Sequence, residues 1–187
     1  MNNDKKPNPI SERSKKWLTK SLLNLMTQKP YSKITIQDIS KNADLVRQTF
    51  YKNYTIKDDI LENHIENLFI TFADSFFKQN KFDMKNFMNS HLNFWSDNSE
   101  FLELLIRNNL TYLLDKQYKK HIPKLVDALI KKKVNRDSAK HKYALAFLSG
   151  ALINVLVEWV HLDKEYSMDE LSSLINAIMT GQYFYEV

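Results

Sequence analysis

Apolar residues recur along this chain at the three- and four-residue spacing of helix faces. Leu18, Leu22 and Leu25 fall at i, i+4 and i+7. Ile36, Ile39 and Ala43 fall at i, i+3 and i+7, and Phe50 and Tyr54 at i, i+4. Such spacing stacks side chains on one face of a helix. Polar residues mark the starts. Ser11, Asp83, Ser99 and the pair Asp137-Ser138 stand where caps are wanted, and Thr35 with Asp38, Thr55 with Asp58 and Ser167 with Glu170 read as capping pairs. A side-chain oxygen at the cap satisfies a free N–H, and an acid in the first turn suits the helix dipole. The pattern predicts helices near 11–28, from Thr35 to the turn at Asp44-Leu45, 46–53, 55–81, 84–95, 100–107, 109–133, 137–161 and 168–185, with 109–133 interrupted or bent at Pro123.

Composition narrows the class. The 187 residues include two glycines (Gly150, Gly181), four prolines and no cysteine. Tight hairpins, phosphate loops and dinucleotide motifs need more glycine than this. The lack of cysteine removes disulfides, thiolate metal sites and cysteine nucleophiles. The fold class expected is all-α. The five histidines are scattered without the i, i+4 spacing of a metal site, and no nucleophile elbow is present, so neither a metal centre, a cofactor nor an enzyme activity is expected.

Charge divides the chain. Residues 1–57 carry twelve Lys/Arg against four acids, a net +8, while residues 58–187 carry a net −3. A basic first third on a mildly acidic body points to an anionic partner at one end. The first residues lack the apolar core of a signal peptide. The most apolar stretch, Tyr143 to Val160, contains Asn154 and Glu158 and reads as a buried or dimer helix rather than a membrane span. A cytoplasmic protein is expected.

Residues 34–61 concentrate the chemistry. They give two short helices joined by a tight turn, the second presenting Arg47, Gln48, Thr49, Tyr51 and Lys52 outward while Phe50 and Tyr54 pack inward. This is the helix-turn-helix plan, in which the second helix enters the major groove. Arg and Gln read base edges, and Thr, Tyr and Lys reach phosphates.

The same residues resemble the TetR family of transcriptional regulators. Ile34-Thr35-Ile36, Ile39, Ala43, Thr49-Phe50-Tyr51, Tyr54 and Lys57-Asp58-Asp59-Ile60-Leu61 follow its signature across residues 11–65. The segment around Gly150, with Trp159 nine residues on, is similar to the C-terminal domain of regulators from low-GC Gram-positive bacteria, and Arg47-Gln48-Thr49-Phe50-Tyr51 to a subgroup that includes dihydroxyacetone-kinase operon activators. Two positions depart from the family. Asp44 stands at the turn glycine, and Val46 at the serine that often caps the second helix.

Residues 1–10, with two prolines and several Asn and Lys, read as a flexible basic arm. The resemblance implies a DNA-binding domain (11–56) and a regulatory and dimerisation domain (57–187). It places Thr35, Arg47, Gln48, Thr49, Tyr51, Lys52 and Lys57 on double-stranded DNA. It implies a homodimer on a pseudo-palindromic operator, joined through Leu148, Leu152, Val155, Leu156, Leu171, Leu174 and Ile178, with Gly150 permitting close helix approach. A small-molecule effector would meet His64, His91, Trp95, Arg107, Tyr112 and Trp159, with Phe69 and Phe101 also candidates. Two rival readings are a regulator whose larger domain binds a protein partner, and a basic-faced peripheral membrane protein.

Overall fold

The computed structural model describes residues 9–79, 83–129 and 135–185. Among them are nine α-helices and no strand: α1 (Pro9–Gln28), α2 (Ile36–Asn42), α3 (Arg47–Asn53), α4 (Asp58–Phe77), α5 (Met84–Asp97), α6 (Ser99–Arg107), α7 (Thr111–Leu129), α8 (Ala139–His161) and α9 (Met168–Met179). Short 3-10 turns occupy Tyr31–Lys33 and Gln182–Phe184. The all-α expectation holds. Most of the expected arm, 1–10, lies outside the described residues, as do the far ends expected for the fourth and seventh helices.

The chain gathers into two compact units, Met1–Asn67 and Leu68–Val187. The first turns of α4 belong with the head because its hydroxyls hold them there. Tyr31 Oη donates to Asp58 Oδ1 at 2.5 Å, and Tyr54 Oη to Asn63 Oδ1 at 3.0 Å. Burial pushes the Tyr54 hydroxyl up to about 12, which keeps it a donor.

In the head, α1, α2 and α3 pack on one another. Leu18, Leu22, Ile39 and Phe50 are fully buried between them. Ser11 does not cap α1, which already starts at Pro9, a residue suited to a first turn. Its hydroxyl instead donates to Asn53 Oδ1 at 2.6 Å and ties the start of α1 to the end of α3. A full capping box opens α2: Asp38 N–H donates to Thr35 Oγ1 at 3.1 Å, and Thr35 N–H to Asp38 Oδ2 at 2.9 Å.

Lys29 Nζ also reaches Asp38 Oδ2, at 2.8 Å. The lysine, then the Thr35 backbone and side chain, lower the Asp38 carboxyl from 3.8 to about 2. A carboxyl depressed on folding stabilises the native state above its unfolded value and loses that contribution as pH falls through the folded one. The thermal midpoint of the wild-type protein is therefore expected to exceed that of Asp38→Asn at pH 6. The gap should close between about pH 4 and pH 2. A gap independent of pH would remove the carboxylate as its source.

In the larger unit, Phe72, Phe76, Phe87, Trp95, Leu102, Leu113, Tyr118 and Leu156 are buried. Asp83, Ser138 and Ser167 cap α5, α8 and α9 through their side chains. Ser99 is instead the first residue of α6, whose cap residue Asn98 supplies no side-chain cap bond and donates instead to Phe94 O at 2.7 Å. Asp59, rather than Asp58, accepts the Thr55 and Ile56 N–H groups ahead of α4, at 2.7 and 3.0 Å. The seventh helix runs unbroken through Pro123, although the ring leaves the Lys119 carbonyl without its usual helical donor. The last helix stops short of residue 185: Gly181, at φ +80°, turns the chain after Thr180. Gly150 does not serve a close approach within the chain, since an added Cβ would meet nothing within 4 Å.

By length and composition α8 could cross a membrane. One line of it, Leu152, Ile153, Leu156 and Trp159, is buried in the larger unit, where α8 packs on α6 and α7. Another line, with Tyr143, Phe147 and Leu162, is exposed.

Candidate nucleic-acid interface

The turn between α2 and α3 is built without glycine. Asp44 takes φ +53°, and Leu45 N–H closes the turn on Ser40 O at 2.9 Å. Aspartate reaches this left-handed region more readily than most residues. Val46 then starts α3 from an extended conformation and supplies no side-chain cap bond. Phe50 anchors the helix at 0% exposure, edge-on to Tyr51 at 5.3 Å and tilted against Tyr54 at 6.0 Å.

With Phe50 inward, α3 presents Arg47, Gln48, Tyr51 and Lys52 to solvent, with Thr49 half-buried. Arg47 and Tyr51 lie one turn apart and interact. Arg47 Nη2 donates to Tyr51 Oη at 3.0 Å, and its guanidinium carbon sits 5.7 Å from the ring centroid. The pair holds a planar five-donor fork on an exposed surface. Thr35 is exposed at the start of α2, its hydroxyl engaged by the Asp38 N–H.

Lys57 departs from the expected phosphate role. Its ammonium donates to Tyr31 O at 2.6 Å and Ile34 O at 3.0 Å, and sits 4.1 Å from the Tyr31 ring centroid. Burial lowers its pKa below the ordinary lysine value. The side chain therefore clamps the segment before α2 to the approach of α4. Lys57→Ala is expected to lower the stability of the head by about 1–3 kcal/mol, since charged hydrogen bonds and a carbonyl's partner are lost. Urea unfolding monitored by circular dichroism measures it. An unchanged midpoint, with a salt slope of DNA binding reduced by about one, would return Lys57 to phosphate.

A family model described as a transcriptional regulator C-terminal region, of the TetR type, matches residues 83–181, just over half of the chain. The chain belongs to the TetR family.

Solved TetR-type structures share the fold. The fatty acid degradation regulator FadR from Bacillus halodurans superposes with a TM-score of 0.63 at 16% identity, covering 95% of this chain and 97% of that one. A TetR-family regulator from Syntrophomonas wolfei gives 0.67 at 18% identity, with coverages of 94% and 97%. The dihydroxyacetone kinase operon activator DhaS gives 0.59 at 19% identity, with coverages of 90% and 95%. No curated protein matches the sequence at a significant level. The family and its structural relatives are transcriptional regulators and not enzymes.

In this TetR-family chain the expected effector residues do not line one pocket. His91 Nε2 lies 2.7 Å from Tyr118 Oη in the aromatic core. Trp95 stacks on Tyr118 at 6.4 Å. Burial drives the His91 imidazole down to about 3, so it is neutral. Phe69 and Phe101 are buried too. Trp159 donates through Nε1 to Tyr166 O at 2.9 Å. Arg107 is largely exposed beside Glu103 at 3.5 Å, and Tyr112 is 52% exposed. His64, on the part of α4 that belongs to the head, is half-buried, and burial lowers its pKa.

A cavity with a mainly apolar lining lies elsewhere, between α5, α8 and α9. It has a volume of about 150 Å³ and is walled by Met88, Leu92, Phe147, Leu148, Val155 and Ile175, with Lys85, Asn89 and Asn176 as polar positions. Neither the aromatic nor the charged candidates pointed to it. Its signal in the sequence is a set of methionine and aliphatic residues spread over three helices.

Three of the expected dimer residues need correction. Leu152, Leu156 and Leu171 are 2%, 1% and 7% exposed in the single chain and serve its own core. Leu148, Val155 and Leu174 are half-buried, and Ile178 is exposed. The apolar surface that α8 turns outward consists of Tyr143 and Phe147, at 76% and 66% exposure, with Leu162 at its end.

Proposed function

We propose that this chain is a DNA-binding transcriptional regulator that acts as a homodimer on a pseudo-palindromic operator. The observation that carries this reading is the exposed row on α3, in which Arg47, Gln48, Tyr51 and Lys52 stand outward over a buried Phe50. An α3 of this kind enters the major groove, with Arg47 and Gln48 on base edges and Thr49, Tyr51 and Lys52 on phosphates. Thr35, exposed at the start of α2, would flank the same contact. The excess of positive charge in residues 1–57 would speed the encounter with DNA.

Dimerisation is assigned to the outward line of α8, with Leu148, Val155, Leu174 and Ile178 around it. An exposed pair of large aromatics one turn apart calls for a cover, and a two-fold arrangement supplies it with the same residues. The effector site is assigned to the cavity between α5, α8 and α9. Its lining suits a compact apolar molecule, in line with a relative that regulates fatty acid degradation. Phe147 belongs to both the cavity and the outward line. Occupancy could thereby reach the dimer, and differential affinity for two states would supply a coupling of about 1–3 kcal/mol. The protein would work in the cytoplasm, where its operator is.

Selection of duplexes from a random pool with the full chain tests the reading. The expected product is an inverted repeat whose half-site centres lie about 34–36 Å apart, or a multiple of that. A pool that stays random after repeated rounds would overturn the DNA-binding assignment.

A further inference from the structure

Val46 is the anomaly of the recognition surface. It occupies the cap position of α3, where a polar side chain would bond a free N–H, and it makes no such bond. It is 68% exposed. It also shares a cleft with Gln37 and Lys41 of α2 and with Arg47 of α3. A branched apolar side chain is thus set in solvent beside Leu45 and among the hydrogen-bonding Gln37, Ser40, Lys41 and Arg47. A base pair offers one apolar group in the major groove, the C5-methyl of thymine.

We infer that Val46 reads a thymine methyl in each half-site and is a specificity-determining residue of this regulator. The inference rests on the DNA-binding reading above. The two γ-methyls of Val46 pack on the thymine methyl while Arg47 and Gln48 bond the neighbouring base edges. Loss of the cap bond is offset in the complex by removing these methyls from water.

The test replaces each thymine of the selected operator, one position at a time, with deoxyuridine. This removes the methyl and leaves the Watson–Crick edge intact. Affinity is read by fluorescence anisotropy at fixed salt. One position per half-site is expected to cost the wild-type protein about four-fold, the worth of one methyl-sized group withdrawn from water. Substituting both half-sites should cost roughly fifteen-fold on the same basis. Val46→Ser, which restores a polar cap, should bind the thymine and deoxyuridine duplexes equally, and Val46→Thr, with one γ-methyl, should fall between. Circular dichroism of both variants checks that the head is folded. If no thymine responds, or if Val46→Ser keeps the full response, the inference is overturned while DNA binding stands. If no duplex is ever selected, both readings fail together.

Discussion

Arg47→Ala is expected to weaken binding to the selected operator by about 1–3 kcal/mol per half-site, and by about twice that for a symmetric dimer. The magnitude follows from how the side chain is held. A guanidinium on an exposed helix normally samples many rotamers, and ordering it on a base edge costs side-chain entropy. Here Tyr51 Oη accepts from Nη2 at 3.0 Å, and the ring lies under the fork. Part of that cost is met before DNA arrives. The lost free energy should therefore fall on sequence-specific contact and not on general attraction. Anisotropy titrations against the operator and a scrambled duplex, both at the same salt, separate the two. The ratio of affinities should collapse for Arg47→Ala, and for Gln48→Ala to a similar extent. Lys52→Ala should instead weaken both duplexes alike and flatten the salt dependence. An equal loss on both duplexes for Arg47→Ala would make it a phosphate contact. No loss for any of the three would remove α3 from the groove.

The head was legible because its signals are local. The spacing of Leu18, Leu22 and Leu25, the Thr35–Asp38 box and the inward Phe50 each depend on residues a few positions apart, and each is present in the fold. Asp44 could be read as a tolerated replacement for glycine because left-handed backbone is a property of one residue. Lys57 was not legible. A lysine beside a helix start looks the same whether it faces phosphate or two carbonyls more than twenty residues back. The same limit governs the larger unit. Periodicity shows which residues of α8 share a face, but not which neighbouring helix covers that face. Leu152 and Leu156 therefore read as interface although α8 spends them on its own chain's core. The effector candidates were selected by chemical type, and His91 and Trp95 proved to be buried partners of Tyr118.

Burial also decides which substitution can test the dimer. Leu152→Asp would place a carboxylate at a site only 2% exposed and destabilise the single chain, so loss of the dimer would not locate an interface. Phe147→Asp carries no such ambiguity, because Phe147 is 66% exposed in the isolated chain. Its far-ultraviolet dichroism is expected to match the wild type. In a two-fold interface the substitution appears twice, burying two carboxylates of like charge. An unpaired buried charge costs about 3–5 kcal/mol, so the dimer dissociation constant should rise by at least three decades. Sedimentation velocity should report the 22.2 kDa monomer where the wild type sediments at twice that mass. Operator affinity should fall to that of one half-site, while Arg47 still discriminates the bases within it. Tyr143→Asp, one turn away on the same line, should behave alike. A Phe147→Asp protein that remains dimeric would move the interface off the outward line of α8, and Ile178 and Met179, exposed on α9, would be the next residues to replace.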